Sequence, residues 1–131
     1  MKNLKSENLY WNKFYKNFNP PEKPSAFAHH CKKYLKKFKG IIFDIGCGNG
    51  RDTAYLNKNN LKCIGLDLSK DIISRNKKRF TKYSHLYFNR NFSKYNFDKL
   101  KEKFVIYSRF TLHSINNNEE SLLFENIKKS K

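Results

Sequence analysis

The sequence predicts an α/β fold, a parallel sheet of about four strands with helices on both faces. Three observations predict it. Short β-branched and aromatic runs alternate with helix-period segments, a glycine-rich loop joins the first such run to a helix, and an acidic residue ends the second run about 20 residues later. At 131 residues the chain reads as one domain, residues 1–131, with N-terminal cap helices over 1–39 and a core over 40–131.

The first helix is expected over Leu9–Phe18, where Tyr10, Trp11, Phe14, Tyr15 and Phe18 recur at helical spacing. Asn19, Pro20, Pro21 and Pro24 stop it. Ser25 is placed to N-cap a second helix from Ala26 to Phe38, with Tyr34, Leu35 and Phe38 on its apolar stripe and Gly40 as its terminator. Ile41–Ile45, bounded by glycines, reads as a buried strand. After the loop Gly46–Gly50, Arg51 opens a helix whose pattern fades at 57–60, and Leu61–Leu66 is a second strand ending in Asp67. Strand, glycine loop, helix, strand is a βαβ unit. Ser69 caps a helix from Lys70 to about Phe80, and Leu86–Phe88 is a third strand running into Asn89–Phe92. A charged segment, Lys94–Glu102, precedes a fourth strand at Phe104–Tyr107. Asn118–Lys129 closes the pattern as an amphipathic helix with Leu122, Leu123 and Ile127 on one face.

Lys and Arg number 28 against 11 Asp and Glu, a formal charge of +17. That charge invites a nucleic-acid partner, but Lys scattered along every segment also describes an ordinary solvated surface, so nucleic acid stands as the alternative reading. Aromatic residues at 16% and hydrophobic residues at 38% exclude a disordered chain. No run of ~18 apolar residues and no apolar N-terminal signal region appear, so no membrane span is expected and the location is expected to be cytoplasmic. Cys31, Cys47 and Cys63 form no Cys-x-x-Cys pair and read as free thiols. His29, His30, His85 and His113 show no metal-ligand spacing with them, so no metal is expected.

The chemistry gathers at Gly46-Cys47-Gly48-Asn49-Gly50. Glycines there let the backbone turn sharply and a ligand approach the following helix. The spacing is Gly-x-Gly-x-Gly, neither the Gly-x-Gly-x-x-Gly of dinucleotide binding nor a Gly-Lys-Ser/Thr phosphate loop. Asp67 lies where an acidic side chain in such a unit reaches the hydroxyls of a ribose. Asp44, just before the loop, can hold a cationic amino group or orient loop amides. Structural roles, Asp67 as a helix cap and Asp44 as a turn residue, stay open beside these.

Phe43-Asp44-Ile45-Gly46-Cys47-Gly48-Asn49-Gly50-Arg51-Asp52 resembles the first motif of class I S-adenosylmethionine-dependent methyltransferases, and Gly65-Leu66-Asp67-Leu68-Ser69 resembles their second. Pro24-Ser25-x-Phe27-Ala28 and the segment Tyr107–Ile115 are similar to small members of that superfamily, some of which accompany bacterial surface-polysaccharide enzymes. The resemblance implies a Rossmann-like fold, S-adenosyl-L-methionine as cofactor, and a methyl acceptor of unknown identity, a small molecule or a surface-polysaccharide precursor. It implies Asp44, Gly46, the Cys47 backbone and Gly48 around the methionine part of the cofactor, Asp67 on the ribose hydroxyls and Leu68 against adenine. Where the family often has an acidic residue for the adenine amino group, this chain has Asn91, followed by Phe92; an amide oxygen can also accept that bond. Tyr107, Arg109, Phe110 and His113 follow the fourth strand, where such folds present residues to donor and acceptor. His113 is the expected general base, with a packing role left open. Tyr10, Trp11 and Tyr15 either cover the cofactor or pack the first helix on the sheet.

The family's sheet has seven strands in the order 3-2-1-4-5-7-6. Four strands in the order 3-2-1-4 imply that the C-terminal half is missing and that strand 104–107 exposes an edge. Self-association or a partner chain along that edge is expected, unless the final helix covers it. The chain is therefore expected to be a methyltransferase enzyme, or its cofactor-binding N-terminal part, with an inactive methyltransferase-like fragment that needs a partner chain as the alternative.

Overall fold

The computed structural model describes residues 4–17, 21–109, 111 and 115–130. Ile41–Ile45 (β1) is buried along its whole length, as an apolar strand central to a parallel sheet must be. It pairs in parallel with Cys63–Asp67 (β2) on one side. Tyr87–Asn89 (β3) adds outside β2, and Phe104–Tyr107 (β4) flanks β1 on the other side, giving the order β3-β2-β1-β4. This is the expected order. Among the described residues no strand pairs with the outer edge of β4.

Side-chain alternation along β1 divides the core. Ile41, Phe43 and Ile45 join Leu66, Phe92, Phe97 and Leu123 on one face, while Ile42 joins Ala28, Leu56, Leu61, Cys63 and Tyr107 on the other. Among the described residues five α-helices complete the layers: α1 (Leu4–Asn17), α2 (Ala26–Leu35), α3 (Arg51–Lys58), α4 (Lys70–Arg79) and α5 (Asn117–Lys128). Helices α2 and α3 cover the second face, and α5 covers the first together with short 3₁₀ turns at Phe92–Lys94 and Phe97–Lys99. The caps are formed by side chains the sequence points to. Ser25 Oγ accepts from the Ala28 N–H at 3.1 Å, and Ser69 Oγ accepts from Ile72 N–H at 3.3 Å.

Several boundaries differ from expectation. Helix α1 begins at Leu4, a turn before Leu9. Helix α2 ends at Leu35 and a turn follows, with the Phe38 N–H bonded to the Leu35 carbonyl at 2.9 Å. Gly40 therefore does not terminate the helix; it lies where a Cβ would stand 2.2 Å from the Lys103 carbonyl oxygen, so a side chain there would collide with the segment entering β4. Strand β2 begins at Cys63 because Asn60 takes φ +61 and the Leu61 N–H folds back onto the Leu56 carbonyl, closing α3. Strand β3 starts one residue late because Thr81–Leu86 winds as a 3₁₀ helix. Helix α5 begins at Asn117, capped by Asn116, whose Oδ1 accepts from the Glu119 N–H at 2.9 Å. Among the described residues no helix is long and apolar enough to cross a membrane.

Candidate functional site

The loop between β1 and α3 is tied down at nearly every residue. The Gly46 and Cys47 N–H groups donate to the Leu66 carbonyl at 2.8 and 3.0 Å, and the Gly48 N–H donates to Asp67 Oδ2 at 2.9 Å. Asn76 Nδ2 donates to the Gly48 carbonyl at 2.8 Å, and the Tyr87 hydroxyl to the Gly50 carbonyl at 2.8 Å. Gly48 has φ +54, and a Cβ there would lie 2.7 Å from the Tyr15 hydroxyl. Only glycine combines that backbone with so close an approach.

A cavity of about 420 Å³ opens over this loop, within the size range of small-molecule sites. Asp44, Asp52 and Asp67 line it, with Arg51 and Arg109; Trp11, Phe14 and Tyr15 of α1 form an aromatic wall, and Leu68, Phe92 and Ile115 add apolar surface. Three of the chain's 11 acidic residues thus meet at one cavity of a +17 molecule. Helix α1 is held there by Asn12 Oδ1, which accepts from Ser69 Oγ at 2.5 Å, and by the Tyr15 carbonyl, which accepts from Arg75 Nη1 at 2.8 Å.

The carboxylates have different surroundings. Asp44 accepts from the Thr53 hydroxyl at 2.7 Å. Its burial pushes its pKa up to about 7, with Asp52 and Asp67 adding to the rise and Thr53 and Arg109 opposing it. Asp67 accepts from the Gly48 N–H through Oδ2 and from the Ser69 N–H through Oδ1, each at 2.9 Å. Burial raises its pKa too, against the pull of those backbone donors. A carboxylate has about four lone-pair sites, so accepting capacity remains for a ligand's hydroxyls. Asp67 is therefore both loop clamp and cavity wall. Burial raises the Cys47 thiol well above its ordinary value, with Asp67 and Asp44 adding to it, so this side chain is no nucleophile at neutral pH.

Of the residues singled out in the sequence, Asp44, Gly46, Cys47, Gly48, Asp67, Leu68 and Phe92 come together at the cavity, as do Trp11, Tyr15 and Arg109. Asn91 and Tyr107 are not part of its lining. The Asn91 side-chain oxygen accepts from the Ser93 N–H at 3.0 Å, capping a 3₁₀ turn, and the Tyr107 hydroxyl donates to Asp52 Oδ2 at 2.8 Å. Tyr10 is 60% exposed and lies off the cavity. His113 and Phe110 lie outside the described residues. The sequence reading gave no role to Thr111 or to Asp52 beyond its place in the first motif. Thr111 packs where a Cβ on Gly46 would fall and donates to the Ile45 carbonyl at 2.8 Å. Asp52 followed by Thr53 at the start of a helix was the available signal, since an acid in a first turn is ordinarily exposed and this one is 5% exposed.

The arrangement offers carboxylates rather than anion-binding amides. The Gly48 N–H is already given to Asp67, so it is not offered to a phosphate oxygen. A cationic ligand with a hydroxylated sugar fits this donor and acceptor set.

The profile of a family described as a methyltransferase domain matches residues 42–130. Among solved structures, a SAM-dependent methyltransferase from Anabaena variabilis is similar with a TM-score of 0.72 at 22% identity, over 99% of this chain and 58% of that one. The glycopeptide N-methyltransferase MtfA, solved in complex with (S)-adenosyl-L-methionine, gives 0.69 at 16% identity, over 82% and 50%. A TehB-like SAM-dependent methyltransferase from Corynebacterium glutamicum gives 0.65 at 18%, over 97% and 66%. At these identities the likeness is one of fold. The chain spans between 50% and 66% of the length of these structures. No curated protein matches it in sequence.

Proposed function

We propose, since this chain belongs to the methyltransferase-domain family, that it binds S-adenosyl-L-methionine in the cavity over Gly46–Gly50 and directs methyl transfer to an acceptor, a small molecule or a surface-polysaccharide precursor. The observation that carries this reading is the meeting of Asp44, Asp52 and Asp67 around a glycine cradle in a strongly basic chain. When bound, the cofactor supplies a methyl group on a sulfonium, open to in-line attack by a nucleophile.

The chain's own residues bind and orient. Asp67 receives the ribose hydroxyls on its remaining lone pairs, and Leu68 and Phe92 give the adenine an apolar seat. Asp44 faces the ammonium of the amino-acid end. Trp11, Phe14 and Tyr15 exclude water and set aromatic faces against a cation. Transfer from a sulfonium, which leaves as a neutral thioether, needs mainly alignment of the acceptor. His113 remains the proposed base for an acceptor that must lose a proton. Free thiols at Cys31, Cys47 and Cys63 fit a reducing compartment, the cytoplasm, and the outer edge of β4 is the proposed place for a second chain to pair.

Isothermal titration with S-adenosylmethionine and S-adenosylhomocysteine tests the reading: micromolar or tighter binding at one site is expected. No heat with either ligand, together with RNA binding that falls steeply with salt, would instead make the +17 charge the working feature.

A further inference from the structure

Asp52 is 5% exposed, and donors surround its carboxylate. Ser25 donates to it twice, from N–H at 2.8 Å and from Oγ at 2.6 Å, and the Tyr107 hydroxyl donates at 2.8 Å. Arg109 Nε stands 3.6 Å from Oδ2. These contacts join the start of α2, the first turn of α3, the end of β4 and the segment after it. Three neutral hydrogen bonds already take three of the carboxylate's roughly four lone-pair sites, so it is well supported without the guanidinium. What the pairing does is aim Arg109: a guanidinium is a rigid planar fork, and fixing Nε toward Asp52 fixes the plane of its two terminal nitrogens. The Arg109 side chain keeps 32% exposure and lines the cavity.

The order of the strands supplies the second observation. Asp67 ends β2, β1 lies beside it and β4 beyond, so a ligand with its sugar at Asp67 and its base toward Leu68 and Phe92 extends its other end across β1 toward Arg109. That path is two strand spacings, roughly 10 Å. It passes Asp44 first and reaches Arg109 second. A carboxylate followed by a guanidinium is the complement of an ammonium and a carboxylate on one carbon.

We infer that Arg109, aimed by Asp52, receives the carboxylate of the cofactor's amino-acid end, with Asp52 as its positioning residue; the inference rests on the cofactor reading above. Binding is then selective for the intact amino acid over the bare nucleoside. Two ligands separate these contributions: S-adenosylhomocysteine carries the amino-acid end, and 5′-methylthioadenosine has the same nucleoside without it.

Titrated against the full chain, Arg109→Gln is expected to weaken S-adenosylhomocysteine about 10- to 100-fold and to leave 5′-methylthioadenosine unchanged, which also shows that the variant is folded. Arg109→Lys keeps the charge without the fork and should restore part of the loss. Asp52→Asn should lower the preference for S-adenosylhomocysteine in the parent but add little once Arg109 is Gln, because the two act as a unit. An equal fall for both ligands in Arg109→Gln, or a fall for neither, overturns the inference. An unchanged preference in Asp52→Asn removes Asp52 as the positioning residue. If the parent binds 5′-methylthioadenosine as tightly as S-adenosylhomocysteine, the carboxylate receptor is refuted while the nucleoside site stands. If it binds neither, the cofactor reading itself is refuted.

Discussion

Titrating the site across the range of Asp44 tests its charge logic directly. Burial is the main force that lifts this carboxyl to about pH 7, and the groups around it are the Thr53 hydroxyl, Asp52 of α3, Asp67 of β2 and Arg109 after β4. In the free protein it is half protonated near neutrality. An ammonium arriving beside it favours the ionised form, so a ligand that binds only that form loses affinity as pH falls through the free protein's value. With a midpoint at about 7, the ionised fraction drops from about three-quarters at pH 7.5 to about one-thirtieth at pH 5.5, and S-adenosylhomocysteine affinity falls with it roughly 25-fold. Calorimetry in two buffers of different ionisation enthalpy counts the proton released. 5′-Methylthioadenosine, which has no ammonium, should show a much flatter profile, as should Asp44→Asn with either ligand. The same group acts on folding with the opposite sense. Its folded pKa lies above the ordinary value of 3.8, so between the two the native state holds a proton that the unfolded chain has released. Its contribution is fully present below about pH 4 and is lost, by up to ~1.4 kcal/mol per pH unit, as pH rises toward 7. A flat S-adenosylhomocysteine affinity between pH 5.5 and 7.5, or an equal slope in Asp44→Asn, would refute the pairing of Asp44 with the ammonium.

Three other outcomes follow from the packing of the site and core. Gly48→Ala places a Cβ at φ +54 and 2.7 Å from the Tyr15 hydroxyl; it should cost about 1–2 kcal/mol of stability in urea unfolding and weaken cofactor binding, and unchanged unfolding would mean that the loop tolerates a side chain there. Asp67→Asn keeps one acceptor oxygen for two N–H donors, Gly48 and Ser69; a loss of about 1–3 kcal/mol is expected, with both nucleoside ligands weakened alike, unlike Arg109→Gln. Phe97 is fully buried against the rings of Phe43 and Phe104, so Phe97→Ala should lower stability by about 3–5 kcal/mol, read from the denaturant midpoint.

The sheet was legible because its signals are local. Ile41–Ile45 between two glycines has no other reasonable use than a buried strand, and Ser25 and Ser69 stand one residue ahead of amphipathic runs, where a hydroxyl finds a free N–H. The loop chemistry was legible for the same reason, since glycine spacing and the acid ending β2 are both written in short segments. Other features depend on partners far along the chain. Ser25 and Asp52 are 27 residues apart, and Tyr107 is 55 from Asp52; no periodicity links them. Asn91 could serve equally as an acceptor for a ligand or as a turn cap. The turn won because Ser93 N–H lies two residues away, and Asn96 repeats the motif with Asp98 N–H. Residue type alone cannot choose between a near donor and a distant one.

Net charge misdirects the reading of this site, and the geometry shows why the two are separable. Exposed lysines on α4, among them Lys70, Lys77 and Lys78, project into solvent, where their fields are screened within about 8 Å at physiological ionic strength. Asp44 and Asp67 are instead held by hydroxyl and backbone donors, and among the described residues no lysine is bonded to either. A lysine bonded to them would have neutralised the cavity. Neutral donors do not cancel the charge these carboxyls carry when ionised, in surroundings where screening is weak and a few ångströms decide the potential. A cation entering the cavity therefore meets carboxylates set by the ends of β1 and β2, whatever the sign of the molecule's surface. The +17 charge governs only what approaches from outside.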